Sequence, residues 1–387
     1  MWRNIASNFL TITIVLLIGV AVLVAWARDQ YDSAGPLAEA ICLKVESGST
    51  MRRVADDLAS RGAVSSSYIF KVGADYEDKT TRVKAGSFLI GAHASMREIV
   101  DEITRSGQST CGTEINFRIG VAGADVVVRE LNPADNRYVE VAKFDPAAEA
   151  APQGYVDAVA DADARLRVTL AEGVTSWQVV EALKRADFLA GEVDTVPAEG
   201  WLAPDSYEVT RGEARGDILA EMETRQHAVM DALWPDRAEG LPYATPEEAL
   251  IMASIVEKET GVPEERPQVA SVFVNRLEQG IKLQTDQTVI YGLTKGQGIL
   301  GRGLRQSELR GRTPYNTYVI DGLPPTPIAN PGRDSIAAAL NPAKTDYLFF
   351  VADGSGGHVF SKTLAEHNAN VEKWRAIEQQ QNSGTGN

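Results

Sequence analysis

The sequence predicts an α+β protein behind a single N-terminal transmembrane helix, with small strand–helix units first and a larger mixed α+β domain after them. Three observations carry this reading. A charge-free apolar run occupies Phe9–Ala27. A strand–helix pattern opening on Ser or Thr recurs along the first half of the chain. From about residue 199, one strongly capped helix, a Pro/Gly-rich loop region and a hairpin pattern follow one another.

The apolar run reads FLTITIVLLIGVAVLVAWA. As a helix it rises roughly 28 Å, close to the thickness of a bilayer's hydrocarbon core. A buried globular helix would keep a polar stripe. A cleavable signal peptide is the competing reading, since Ala25-Trp26-Ala27 has the small-x-small form. The run exceeds the roughly 7–15 residues of a signal core, and its only preceding charge is Arg3, so a retained anchor is expected. Arg3 before the span, against Arg28, Asp29 and Asp32 after it, orients it weakly. Residues 1–8 are then a cytoplasmic N-terminus, 9–27 the anchor, and everything beyond residue 28 is exported.

Three segments share one pattern: GSTMRRVADDL at 48–58, ASMREIVDEI at 94–103 and GVTSWQVVEAL at 173–183. Thr50, Ser95 and Thr175 can each cap a helix by accepting a backbone N–H. Val54 with Leu58, Ile99 with Ile103, and Val179 with Leu183 then share an apolar face. Extended runs, ICLKV at 41–45 and RLRVTL at 165–170, precede the first and third copies. Residues 40–108 form one such region, and 165–198 a further repeat or a connector. Between them, EINFRIGVAGADVVVREL and NRYVEVAKF alternate as strands do. The Ala/Asp/Pro-rich remainder up to residue 164 reads as a loop with a flexible joint.

The segment 199–376 is the main domain. YATPEEALIMASIVEKETGVP encodes a helix with Thr245 as N-cap, Pro246 at its first position and Glu248 closing a capping box. Gly261 and Pro263 end it. Its middle is apolar almost all round, so it should be buried. TDYLFFVADGSGGHVFSKT reads as a hairpin turning at 353–357. The last residues, 377–387, read as a disordered tail.

The formal net charge is −15, which argues against nucleic acid as the partner. The two cysteines, Cys42 and Cys111, are either one disulfide in an oxidising compartment or two free thiols. No phosphate loop, H-E-x-x-H or G-x-S-x-G motif is present. Of the four histidines, His358 and His367 come nearest to metal spacing and read as a strand and a helix-face residue. No metal and no cofactor are expected.

Chemistry centres on Glu257 and Glu259, which close the capped helix. At roughly 100° per residue they point to opposite sides. Glu257 shares a face with Leu250, Ala253 and Ser254, and Glu259 with Met252, Ile255 and Glu248. A carboxyl in apolar surroundings is raised in pKa and can serve as a general acid. The small residues on the Glu257 face leave room for a substrate, which favours Glu257 over Glu259, while from spacing alone each also reads as the polar end of a helix. Gln284 and Asp286, and the cluster Tyr315, Asn316, Thr317 and Tyr318, offer the amides and rings a sugar or peptide groove needs.

LIMASIVEKET, VASVFVNRLEQGIKLQTDQTVIYGL, TPYNTYVIDGLPPTPIANPG and YLFFVADGSGGHVFSKTLAEHN, together with GWLAPDSY at 200–207, resemble the endolytic murein transglycosylases, the YceG-like (MltG) family. The likeness is collinear over about 165–374, and looser over 41–107, which is similar to a LysM-like subdomain. It implies an inner-membrane protein whose periplasmic catalytic domain cuts nascent peptidoglycan glycan strands, with peptidoglycan synthases as neighbours. It implies Glu257 as the catalytic residue, with Gln284, Asp286, Tyr315, Asn316 and Thr317 binding substrate and Glu259 and Ser254 supporting. Residues 109–164 fall outside the recognised pattern.

Such an enzyme needs one carboxyl. It protonates the leaving oxygen between MurNAc and GlcNAc, then takes the proton of the sugar's C6 hydroxyl as that oxygen closes a 1,6-anhydro ring. The nucleophile is intramolecular and already positioned. A hydrolase would need a second carboxylate, with Asp286 or Glu259 as candidates. A non-catalytic wall-binding protein is the other alternative.

Overall fold

The computed structural model describes residues 2–105, 109–161 and 163–384. In chain order these residues form α1 (Trp2–Asp32), β1 (Ile41–Val45), α2 (Met51–Ser60), α3 (Ser67–Tyr76), β2 (Gly86–Ile90) and α4 (Met96–Thr104). Next come β3 (Thr113–Gly120), β4 (Gly123–Asn132), β5 (Arg137–Phe144), α5 (Gln153–Ala160), β6 (Arg165–Leu170), α6 (Ser176–Leu183) and β7 (Ser206–Val209). The rest is mainly helical: α7 (Arg215–Leu233), α8 (Pro246–Glu259), α9 (Arg266–Glu278), α10 (Asp286–Thr294), α11 (Gln306–Arg310) and α12 (Arg333–Leu340). The hairpin β8 (Phe349–Ala352) and β9 (His358–Ser361) and the helix α13 (Leu364–Gly384) complete it. The fold is mixed α+β, as the sequence predicts. Among the described residues one helix, α1, is long and apolar enough to cross a membrane.

Packing divides the chain into two units. The first comprises Met1–Ile115, Val127–Lys143 and Ala151–Arg165, the second Asn116–Val126, Phe144–Ala150 and Leu166–Asn387. β1 and β2 pair antiparallel, and a five-stranded sheet runs in the order β5-β4-β3-β6-β7.

The first unit's core gathers Leu43 and Val45 of β1, Val54 and Leu58 of α2, Phe70 of α3, Phe88 and Ile90 of β2, and Ile99 and Ile103 of α4. The helix caps form as the sequence dictates. Thr50 accepts from Arg53 N, and Ser95 closes a capping box with Glu98. β2 supplies the strand before the second repeat, which the sequence pattern had not revealed. Cys42 and Cys111 are joined as a disulfide with Cα atoms 5.7 Å apart.

Two expectations change. The Ala/Asp-rich stretch read as loop contains the helix α5, because Tyr155 and Ala158 find a buried side. The tail expected to be disordered from residue 377 continues α13 to Gly384, in keeping with its helix-forming Gln, Ala and Glu residues. Residue 108, where the first strand–helix region was expected to end, and residues 385–387 lie outside the described residues.

In the second unit, α8 is the central helix. Every residue from Ala249 to Val256 is buried, against α9, α10, α12 and the loop at Ile328. Its capping box is present as expected. Thr245 Oγ1 accepts from Glu248 N at 3.2 Å, and Glu248 accepts in return from Thr245 N. Thr175 closes the capping box of α6 with Gln178.

Candidate active site

The end of α8 presents Glu257, Lys258 and Glu259 to three different environments of the second unit. The helical phase separates the two carboxyls, and what packs on each side gives them different chemistry.

Glu257 is closed in. Its Oε2 accepts from Gly332 N at 3.0 Å and from Ser335 Oγ at 2.7 Å. These donors belong to the N-cap and first turn of α12, where a carboxylate complements the helix dipole. Its Oε1 lies 3.7 Å from the buried Arg266, which also holds Glu172 at 2.9 Å and Asp334 at 3.5 Å. The Glu257 side chain is 6% exposed. Burial, with the charge of Glu257 next, pushes the Glu172 carboxyl above its ordinary range.

Glu259 is half-buried at the wall of a cleft of about 560 Å³. The cleft is also lined by Phe273, Arg276, Gln284, Thr285, Asp286, Tyr318, Phe349, Phe350 and His367. Thr285 donates its hydroxyl to Glu259 Oε1. Burial raises the Glu259 carboxyl above the usual carboxylate range, the Thr285 hydrogen bond pulls it down, and the Asp286 charge pushes it up again. Asp286 accepts from Tyr318 OH at 2.7 Å. Arg276 is fixed by the carbonyls of Leu348 at 2.7 Å and Leu283 at 2.8 Å, with its guanidinium over the Phe349 ring. Burial lowers its pKa.

The loop carrying these groups is pinned in place. Gln284 takes a left-handed conformation, φ 50°, and donates its N–H to Thr317 O at 3.1 Å. Thr285 N donates to Thr317 Oγ1 at 3.0 Å. Gln284 and Asp286 therefore reach the cleft, as the sequence suggests, while Thr317 is wholly buried beneath them. Asn316 is equally buried. Its Nδ2 donates to the carbonyls of Glu308, Leu309 and Gly311, tying α11 to the loop. Neither side chain lines the cleft, and the hydrogen bonds of both hold the loop in place. Tyr315 stacks at an angle on Tyr291 and bonds Thr326 at 2.8 Å, outside the cleft lining. Ser254 donates to Ile251 O at 2.7 Å and accepts from Ile328 N at 3.0 Å, a fully buried support.

Of the cluster noted in the sequence, Tyr318 is the member that lines the cleft, and sequence reasoning missed Arg276 as a cleft residue. The Tyr318 hydroxyl bonds Asp286, whereas Tyr315 turns to Thr326 and Tyr291. Arg276 carries no local signal, since Leu348 and Phe349, which help fix it, lie more than seventy positions away. A smaller pocket of about 230 Å³ shares Gln287 with the cleft. Lys258, Thr175, Gln178 and Tyr291 also line this pocket. No group of His, Cys, Asp and Glu among the described residues could hold a metal ion.

Three comparisons bear on this arrangement. The pattern of the YceG-like family matches residues 125–373. A Bacillus subtilis protein named endolytic murein transglycosylase is 38% identical over 179 residues, covering 46% of this chain and 48% of that protein. A Streptococcus pneumoniae (D39) protein of the same name is 24% identical over 355 residues, covering 86% of this chain and 58% of its own. The chain thus spans about half the length of the curated relatives it matches. A crystal structure of a yceG-like protein from Listeria monocytogenes aligns with TM-score 0.46 and 24% identity, over 86% of this chain and 99% of that one. With its matched segment running through α8, the cleft loops and the hairpin, the chain belongs to the YceG-like family.

Proposed function

We propose that this protein is a membrane-anchored endolytic lytic transglycosylase of peptidoglycan, and that Glu259, rather than Glu257, is its proton donor. The observation that carries the second point is the contrast between the two carboxyls. Glu259 borders a cleft with its pKa raised by burial, whereas Glu257 is occupied by Gly332, Ser335 and Arg266. The names of the relatives support the reaction class.

The reaction then needs only groups on these residues. Protonated Glu259 gives its proton to the glycosidic oxygen as the MurNAc C1–O4 bond breaks. The carboxylate left behind takes the proton of the MurNAc C6 hydroxyl, and O6 bonds to C1. No water enters, and Glu259 ends protonated, ready for the next bond. Thr285 steadies the ionised form in mid-cycle. Gln284, Tyr318 and the rings of Phe349 and Phe350 suit the hydroxyls and apolar faces of a sugar. The neighbouring pocket that shares Gln287 gives the strand room to continue, as internal cleavage requires.

The apolar length of α1 supports a placement at the membrane. Spanning the inner membrane, it leaves residues 1–8 in the cytoplasm and the rest in the periplasm, where the Cys42–Cys111 disulfide is stable. Residues 40–108 form a LysM-like wall-binding unit, and 109–164 an insertion ahead of the catalytic domain at 199–376. Residues 165–198 act as a connector packed with that domain, since Thr175 and Gln178 share a pocket with Lys258. Peptidoglycan synthases working at the same membrane are the expected neighbours.

A second reading rests on Asp286, a further carboxylate in the cleft, which would allow hydrolysis. Mass spectrometry of products from purified glycan strands decides between them. Anhydro-MurNAc ends support the transglycosylase. Ends heavier by one water establish a hydrolase, and no turnover at all removes the enzymatic reading.

A further inference from the structure

α1 runs into the first unit without a linker. Its apolar stretch ends at Ala27, and Tyr31, one turn later, is 4% exposed. The Tyr31 ring lies so close to Gly73 of α3 that a Cβ there would meet Tyr31 Cε2 at 2.3 Å. The Arg97 guanidinium of α4 lies over the ring at 5.1 Å and pairs with Asp32 at 2.7 Å. The last turn of α1 is therefore a packed part of the unit, which sets the unit's height above whatever α1 crosses.

That height can be worked out. Four residues of helix from Ala27 to Tyr31 rise about 6 Å. The headgroup layer on one side of a bilayer is about 5–8 Å thick. The Tyr31–Gly73 contact thus lies at headgroup level, and side chains reach about 5–6 Å from the axis of α3. On α3, Phe70 and Ala74 enter the core. The opposite side carries Tyr68, Val72 and Tyr76, spaced i, i+4, i+8 and 70%, 47% and 88% exposed. The Lys71 ammonium sits 5.9 Å from the Tyr68 ring. Exposed tyrosines with a basic side chain are the composition of a membrane interface, where rings sit at the polar boundary and lysines extend to phosphates.

We propose that the Tyr68–Val72–Tyr76 face of α3 rests in the headgroup layer of the bilayer that α1 enters, so that the first unit is held against the membrane surface. The inference rests on α1 spanning that bilayer. The test uses the full chain in phospholipid nanodiscs with single nitroxide labels, the native disulfide left closed. Labels are placed at Tyr76→Cys, at Asp56→Cys on the exposed side of α2, and at Leu16→Cys within α1. Tyr68→Cys serves as a second reporter where Tyr76→Cys does not fold. The face should show a severalfold higher ratio of oxygen to nickel-chelate accessibility than Asp56→Cys. Nickel access equal to that at Asp56→Cys overturns the proposal. So does nickel access that is lost only when peptidoglycan fragments are added, which makes the face a glycan surface. A water-accessible label at Leu16→Cys overturns the anchor itself and the proposal with it.

Discussion

Thr285 donates its hydroxyl to Glu259 Oε1, joining the end of α8 to the N-cap of α10. The same helix end gives Glu257 to Ser335 of α12 at 2.7 Å. Two carboxyls of one motif thus serve different parts of the second unit.

Exchanging each for its amide should separate chemistry from packing. Glu259→Gln should lower anhydro-muropeptide formation by about 10²–10⁴-fold while leaving the folded state intact. Glu257→Gln should weaken acceptance from Gly332 and Ser335 and cost about 1–3 kcal/mol in denaturant unfolding, with a smaller loss of turnover. A stable, inactive Glu257→Gln beside an active Glu259→Gln would return the acid's role to Glu257.

Thr285→Val should move the alkaline limb of the kcat/KM profile to higher pH. The Thr285 hydroxyl stabilises the ionised form of Glu259, so its loss raises the pKa further and keeps the acid protonated longer. A limb that stays in place or moves down would mean that Glu259 does not control it.

Asp286→Asn should do the reverse. The Asp286 charge raises the Glu259 pKa, and removing it should shift the limb to lower pH. The products should remain anhydro ends, because Asp286 takes no proton in the proposed cycle. A complete loss of turnover with no shift would favour the two-carboxylate reading.

Burial of Glu259 should also be visible in stability. Its folded pKa is raised, so the folded state holds the proton more tightly than the unfolded chain. The resulting stabilisation is full below the ordinary glutamate pKa and is lost as pH rises through the folded value. The Tm difference between the native chain and Glu259→Gln, measured from pH 4 to 8, should therefore shift in favour of the variant as pH rises. A difference independent of pH would contradict the raised pKa.

Reduction of the Cys42–Cys111 bond, or the Cys42→Ser/Cys111→Ser variant, should destabilise the first unit. The bond closes a sequence separation of 69 residues, for which the chain-entropy account gives roughly 4 kcal/mol. Hydrogen exchange should show the loss in β1, β2 and α4, with α8 and α9 unaffected.

Much of the scaffold is legible locally. The apolar span of α1 shows as charge-free length, the repeats as caps followed by apolar faces, and α8 as Thr245-Pro246-x-Glu248 ahead of an apolar stretch. These depend on neighbours within a turn or two, so the residues themselves fix them. The candidate site was legible only in part. Gln284 and Asp286 showed as polar groups in an apolar run and do line the cleft. Asn316 and Thr317 looked the same in sequence but face inward, because the carbonyls of α11 claim the Asn316 amide and Thr285 and Thr288 claim the Thr317 hydroxyl.

The sequence by itself determined that Glu257 and Glu259 leave α8 on opposite sides, since 3.6 residues per turn allows nothing else. Which side is closed and which opens on a cleft was decided by tertiary structure alone. The N-terminus of α12, some 75 residues on, caps Glu257, and the loop before α10 leaves Glu259 bordering open space. Helical phase is a property of the backbone. The identity of the surface that meets each phase depends on distant segments, and no local pattern encodes it.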